Sequence, residues 1–342
     1  MNQGEGFWRA YPENLFLDGW PRWDAAWYAT IVDTGYTNLP RVDQQRDTAF
    51  FPVYPILVRL AKLVVDDTFV AGIIVSNVAF LLASIVFFRL VRSQYDAELA
   101  GRSLLLLSIY PFSFFFSAVY SESVFLLAVL CAFYFGERRR WGLAALSAAV
   151  AGATRIVGVV TVLGLLILYL EQVDFDWRKL RPNILWLLLG FSGLASHVIY
   201  LARRFGEPLA FVVSQREWGY YGWDVSLLQE TIRMTWSRQA ILAGRFPAMD
   251  IIHLAFLVVT VVLALAAWRR PRIAYAVWAT LTLLLSSSIW PSMGRFTSVV
   301  FPIYIVAALL LKKGPWFQVA LFLSTLFLAL FTIMYTHWYW VA

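Results

Sequence analysis

An aspartate set among aromatic residues is the first group in this sequence that could do chemistry. It lies in Arg22-Trp23-Asp24-Ala25-Ala26-Trp27-Tyr28, followed by Gly35-Tyr36 and Phe50-Phe51-Pro52-Val53-Tyr54-Pro55. Partial desolvation at a membrane boundary makes such a carboxylate a stronger base, suited to taking a proton from a hydroxyl. The same spacing also fits an ordinary loop aspartate beside an aromatic belt. The second feature is Ser117-Ala118-Val119-Tyr120-Ser121-Glu122-Ser123. Glu122 there is either a pocket residue or a solvated loop acid, and Ser121 or Ser123 is placed to cap the next helix. Tyr120 and the serines offer hydrogen bonds to a sugar or to the backbone. The third feature is a pair of isolated arginines, Arg155 in Ala153-Thr154-Arg155-Ile156-Val157-Gly158 and Arg295 in Ser292-Met293-Gly294-Arg295-Phe296. A guanidinium fork matches a phosphate. The other reading is an ion pair to Asp24, Glu122 or another loop acid.

Other chemistries have less support. His197, His253 and His337 are scattered without ligand spacing, so no metal centre is expected. Asp24 and Glu122 could share a divalent cation, Mg or Mn, if the fold brings them together. No Gly-rich phosphate loop occurs. Cys131 is the only cysteine, which rules out an intramolecular disulfide.

The elements that must position these residues are membrane helices. The 342 residues are 61% hydrophobic and only 14% charged, well short of the charged surface a soluble domain carries. Mean hydropathy is +0.67, and 17% of residues are aromatic, as many membrane–water boundaries would require. Apolar runs at Ala71–Val91, Leu104–Ala118, Val124–Phe135, Leu143–Ala153, Ile156–Leu170, Ile184–Leu201, Ile251–Trp268, Ile273–Ile289, Val299–Leu311 and Phe317–Tyr335 give an all-α polytopic protein with about ten or eleven membrane helices. We read it as a single domain over residues 1–342.

The net charge of +7 resides in short basic clusters between apolar runs, which is a topology signal and excludes nucleic acid as the partner. Arg89/Arg92/Arg102, Arg138–Arg140, Arg178/Lys179/Arg181, Arg269/Arg270/Arg272 and Lys312-Lys313 fall on one side, the cytoplasmic one. Residues 1–70, 119–123, 154–155, 202–249 and 290–297 then face the other side, with every candidate site residue among them. The first loop agrees: residues 1–47 hold four arginines against seven acids. An interfacial helix is expected at about 50–65, with Arg59 and Lys62 snorkelling. In the long loop 202–249, Asp224 is placed to cap a helix running to Leu242. The opening residues lack the basic start and apolar core of a signal peptide, and an outside first loop calls for one more helix upstream.

Several motifs together are similar to a known family. Arg22-Trp23-Asp24-x-x-Trp27-Tyr28-x-x-Ile31-x-x-x-Gly35-Tyr36 is followed by Phe50-Phe51-Pro52-x-Tyr54-Pro55, Phe116-Ser117-Ala118-x-Tyr120-Ser121-Glu122-Ser123-x-Phe125 and Thr154-Arg155-x-x-Gly158. Phe205-Gly206-Glu207-Pro208-Leu209-Ala210-Phe211 with Gln215 and Trp218-Gly219, then Ser292–Phe296 with Phe301-Pro302, continue the order. The set resembles the prokaryotic members of the PIG-V-like mannosyltransferases, relatives of GPI mannosyltransferase 2 with GT-C architecture. The resemblance implies transfer of a hexose, typically mannose, from a polyprenyl-phosphate sugar to an acceptor hydroxyl of a glycan or lipid on the extracytoplasmic face of the cell membrane. It implies Asp24 as the catalytic base of an inverting displacement. Arg22, Trp23, Trp27, Tyr28, Tyr120, Glu122, Arg155 and Arg295 are the expected substrate contacts. The family's acceptor is not carried over.

Two other function classes share some of these features. A noncatalytic subunit of a membrane glycosylation complex would keep the same fold, and a partner subunit is compatible with these motifs. A transporter or flippase would show internal symmetry and charges near the middle of spans, whereas here the charges collect at span ends.

Overall fold

The computed structural model describes residues 8–40, 45–217, 233, 248–269, 272–286, 292–312 and 314–341. Among these there are helices and no strand. The expected helix from Asp224 to Leu242, and the pair Trp218-Gly219, lie outside the described residues.

The first loop carries short helices α1 (Leu15–Asp18), α2 (Ala25–Thr34) and α3 (Val53–Ala61). The first long helix is α4 (Thr68–Arg92). Asp67 caps it by accepting from the Phe69 and Val70 N–H groups, and Arg89 and Arg92 occupy its last turn, where a positive charge suits the helix dipole. Helix α5 (Ala97–Ser108) is capped by Asp96. Helices α6 (Glu122–Glu137) and α7 (Trp141–Thr154) follow, joined by a tight turn in which Arg139 has φ 58°. Then come a 3-10 turn at Ile156–Val159, helix α8 (Val160–Gln172), and a long helix wound as 3-10 over Pro182–Phe191 and as α9 over Ser192–Phe205. The rest of the described chain holds α10 (Ala210–Glu217), α11 (Ala248–Ala267), α12 (Ile273–Ser286), α13 (Met293–Ser298), α14 (Pro302–Leu310) and α15 (Trp316–Thr336).

Among the described residues three helices are long and apolar enough to cross a bilayer: Thr68–Arg92, Pro182–Phe205 and Trp316–Thr336. Shorter apolar helices occur at Trp141–Thr154, Ile156–Gln172, Ile251–Ala267 and Ile273–Ser286. At 1.5 Å per residue these are about 20–25 Å long, short of the roughly 30 Å hydrocarbon core. Exposed aliphatic and aromatic side chains along α4, the Pro182–Phe205 helix, α11 and α15 present an apolar outer surface, as a membrane protein requires.

Helix α6 packs between α4 and α7, and α8 packs on α12. Small residues bring α7 and the Pro182–Phe205 helix together. A Cβ at Gly193 would stand 1.8 Å from the Ala149 carbonyl oxygen, so the two backbones touch as small-residue membrane interfaces do. A second apolar cluster ties α2 and α3 to α4, the segment around Phe112–Val124, and Phe331 and Tyr335 of α15.

Two boundaries and the role of two basic residues differ from those expected. The run Leu104–Ala118 is not one helix: α5 stops at Ser108 and a separate 3-10 turn covers Ser113–Phe116, because Pro111 cannot continue the helix. The run Val299–Leu311 is helical only from Pro302. Arg295 sits on the short helix α13, and α14 starts afresh with Pro302 in its first turn, where proline is favoured. The basic residues of α3 do not simply reach for lipid head groups. Arg59 Nε donates to the Val32 carbonyl at 2.7 Å, an orphan at the end of α2, and Nη2 donates at 3.0 Å to the Ile31 carbonyl, which also accepts the Gly35 N–H. Lys62 pairs with Asp33 at 2.7 Å. Helix α3 thus fixes the far end of the helix at whose start Asp24 stands.

Candidate active site

Asp24 sits at the N-terminal boundary of α2, where the partial positive charge of the helix end favours a carboxylate. The preceding residue, Trp23, has φ 51°, a costly conformation for a bulky side chain and one that turns the chain sharply just before the aspartate. Tyr120 clamps this turn. Its hydroxyl donates to the Arg22 carbonyl at 3.1 Å and accepts from the Asp24 N–H at 3.2 Å. Burial pushes the Tyr120 phenol well above its usual range, so it stays a neutral donor.

Three elements distant in sequence then bring charge to Asp24. Arg295, from α13, donates from Nη1 to Asp24 Oδ2 at 2.7 Å, and its Nε lies 3.3 Å from Glu122 Oε1. Glu122 is the first residue of α6 and is 1% exposed, so it is a buried group and not a solvated loop acid. Arg155 lies in the extended break between α7 and the 3-10 turn, and its Nη1 donates to the same Glu122 oxygen. The guanidiniums stand over aromatic faces, Arg295 5.2 Å from the Tyr120 ring and Arg155 4.6 Å from that of Phe296. Two carboxylates and two guanidiniums therefore form a closed, buried network. Asp24 Oδ1 takes no hydrogen bond among the described residues, and neither does Glu122 Oε2.

These groups face a small, partly open cleft of about 90 Å³. Asp24, Tyr28, Glu122, Arg155 and Arg295 line it, with Phe50, Phe51, Ile156 and Phe296 as apolar wall and Gln215 of α10 at the edge. Tyr28 donates to Ser121 Oγ at 2.9 Å. Burial, with the nearby Glu122 charge, raises its phenol well above the usual range. Of the residues singled out from sequence, Asp24, Tyr28, Glu122, Arg155 and Arg295 are thus gathered in one place. Both arginines make the ion pairs named as the other reading of their isolation.

Arg22, Trp23, Trp27 and Tyr120 do not line the cleft. Trp23 packs edge-on against Trp338 and Trp340, and Trp27 stacks on Phe50. Arg22 is buried against Asp18, Nη2 to Oδ2 2.8 Å, and donates from Nε to the Thr336 carbonyl at 3.2 Å, tying the first loop to the end of α15. Asp18 was overlooked at the sequence level, although its spacing of four from Arg22 was the available signal. Burial alone would raise the Asp18 carboxyl, but Arg22 and the Tyr11 N–H outweigh it and hold it below the ordinary carboxylate range. A carboxyl depressed in the folded state stabilises above its unfolded pKa, and that contribution is lost as pH falls through the folded value. Asp18→Asn is therefore expected to lower the melting temperature most near neutral pH. The gap from wild type should close as pH falls below about 4; a gap independent of pH would contradict the pairing.

Gly158 closes the turn that presents Arg155. A Cβ there would lie 2.1 Å from the Ala151 carbonyl oxygen and 2.5 Å from the Gly152 nitrogen, both backbone atoms that cannot give way. Gly158→Ala is expected to cost about 3 kcal/mol in thermal unfolding and to displace Arg155. A melting curve matching wild type would show that the turn relaxes freely.

No group of three or more His, Cys, Asp or Glu able to hold a metal occurs among the described residues. Asp24 and Glu122 do come together, but with Arg295 between them.

The family model for mannosyltransferases of the PIG-V type matches residues 6–203, a stretch holding Asp24, Glu122 and Arg155. The chain belongs to the PIG-V mannosyltransferase family. Its fold is that of GT-C glycosyltransferases. The structure of ArnT from Cupriavidus metallidurans bound to undecaprenyl phosphate superposes with a TM-score of 0.57 at 16% identity, over 89% of this chain and 57% of that one. The apo state of the same protein gives 0.54 at 16% identity, over 86% and 56%. The Archaeoglobus fulgidus oligosaccharyltransferase, in complex with Zn and sulfate, gives 0.49 at 14%, over 94% and 48%. This chain thus spans a little over half the length of ArnT. No curated protein sequence matches it.

Proposed function

We propose that this PIG-V family member is a membrane glycosyltransferase that moves a hexose, mannose, from a polyprenyl-phosphate sugar to a hydroxyl of a glycan or lipid acceptor on the extracytoplasmic face. The observation that carries the reading is the convergence of one carboxylate with an unengaged oxygen, Asp24 Oδ1, and two guanidiniums on a single cleft. The leaving group is a phosphate, which needs little acid assistance, so one base is enough. In the proposed displacement the acceptor O–H gives its proton to Asp24 Oδ1. The acceptor oxygen forms the new bond to the anomeric carbon as the bond from that carbon to the phosphate oxygen breaks. The bonding electrons leave with polyprenyl phosphate, and the configuration inverts. Arg295 holds the base in place through Oδ2. Arg155, whose side chain is 14% exposed and the more open of the two, meets the departing phosphate. Undecaprenyl phosphate, bound in the ArnT structure, has the head-group chemistry this arrangement suits.

The orientation rests on charge. The cleft lies at the Thr154 end of α7, whereas the Arg138–Arg140 turn precedes its other end, about 20 Å away at the helical rise. The donor half of the proposal is tested by titrating purified protein with polyprenyl phosphate. Arg155→Gln is expected to weaken binding about 10- to 100-fold, the worth of a charge-assisted phosphate contact. Unchanged binding would remove Arg155 from the phosphate site.

A further inference from the structure

A second cleft opens at the other end of α7 from the first, between the start of α7 and the end of α8. Arg139, Arg178, Lys179 and Arg181 line it, over a floor made by Trp141 and Tyr169. Tyr169 donates to Asn183 Oδ1 at 2.6 Å and accepts from the Arg181 N–H at 3.2 Å, so the cleft walls are held together by the protein's own bonds. Of the four cations, Lys179 pairs with Asp174 at 2.8 Å. Asp176 spends its carboxylate on the Arg178 backbone N–H. The guanidiniums of Arg139, Arg178 and Arg181 have no carboxylate partner among the described residues. Arg139 donates only to the Gln172 carbonyl at 3.4 Å, and Arg178 stands 5.5 Å from the Trp177 ring. Two other arginines at this end of the bundle do carry a carboxylate partner, Arg272 with Glu137 and Arg102 with Glu98. Trp177 and Phe175 beside the cleft are 73% and 53% exposed, as aromatic side chains at a membrane interface are.

We propose that this cleft binds the phosphate head group of an anionic membrane phospholipid from the leaflet opposite the glycosyl-transfer cleft. Three unpaired guanidiniums converging on one concave surface supply the phosphate contacts, and the exposed aromatics set the cleft at head-group depth. Gln172 Oε1, on the wall, is a buried acceptor without a hydrogen-bond partner among the described residues, which suits a head group that carries a hydroxyl. The leaflet assignment rests on the orientation proposed above; the head-group chemistry does not.

The test uses the full chain in neutral detergent, titrated with short-chain phosphatidylglycerol, short-chain phosphatidylcholine and inorganic phosphate. Wild type is expected to bind phosphatidylglycerol about tenfold or more tightly than phosphatidylcholine. The R139Q/R178Q/R181Q variant should lose that preference, while R89Q/R92Q, which removes exposed charge outside the cleft, should keep it. Arg178→Gln alone, where the side chain touches only a tryptophan ring, should show a smaller loss and guards against misfolding of the triple variant. Equal binding of the two lipids, a triple variant that binds as wild type does, or an equal loss in R89Q/R92Q would overturn the proposal. Competition by inorganic phosphate at the lipid's own concentration would replace the lipid with a free anion. Lipid binding is measured without turnover, so an inactive transferase and an empty lipid cleft are separate results.

Discussion

Asp24→Asn is expected to reduce sugar transfer about a thousandfold while leaving polyprenyl-phosphate binding equal to wild type or tighter. The amide keeps the shape of the carboxylate and still accepts from Arg295, but it cannot take the acceptor's proton, and general-base assistance is worth roughly 10² to 10⁴ in rate. The sign of the binding change follows from the closed charge balance. Asp24, Glu122, Arg155 and Arg295 cancel one another, so removing one negative charge leaves a surplus positive one facing an anionic donor. A purely structural aspartate would behave otherwise: Asp24→Asn would lose donor binding and transfer together, in step with its loss of stability. Turnover, donor affinity and melting temperature measured on one preparation separate the two.

Arg295→Gln should be the most damaging change to the network as a whole. Asp24 and Glu122 are 7% and 1% exposed and share this one guanidinium. Without it, Asp24 is a buried carboxylate with no cation and Glu122 keeps only Arg155. Breaking a buried pair from one side costs about 3–5 kcal/mol, and transfer should fall at least about a hundredfold because the base is no longer held. The double variant Arg295→Gln with Asp24→Asn removes the stranded charge. It is expected to regain much of the lost stability and none of the activity, a non-additivity that only directly coupled residues give. If the two stability losses simply add, the pair is not the strut described here. Arg295→Lys, which restores charge without the fork, should fall between the two.

Most of the site could be read from the sequence because isolation was the signal. Asp24 among aromatics, Glu122 between two apolar runs and two arginines outside the basic clusters were each out of place, and the fold supplies the reason by joining them in one network. What spacing could not show was which polar residues face the cleft. Arg22 adjoins the same aromatic motif, but its guanidinium turns away because Asp18 and the end of α15 satisfy it, and α15 is more than 300 residues distant. Tyr120 proved to hold the Asp24 turn in place through a contact across 96 residues. The helix breaks at Pro111 and before Pro302 were written in the sequence, yet hydrophobicity continues through both, and a hydropathy reading follows burial and not backbone geometry. The role of Arg59 was hidden for a related reason. A basic residue on a short apolar helix suggests an interface, while its partners are backbone carbonyls of α2, which no side-chain pattern reveals.

The most direct test of the central claim is a single-turnover reaction with purified protein and mannosyl-phosphoryl-polyprenol, following mannose incorporation and release of polyprenyl phosphate together. The account predicts equal amounts of both from wild type in the presence of acceptor, and neither from folded Asp24→Asn that still binds polyprenyl phosphate. Full transfer by Asp24→Asn would contradict the assignment of the base, and donor bound by wild type but never consumed in the presence of acceptor would contradict the cleft's role as a site of glycosyl transfer.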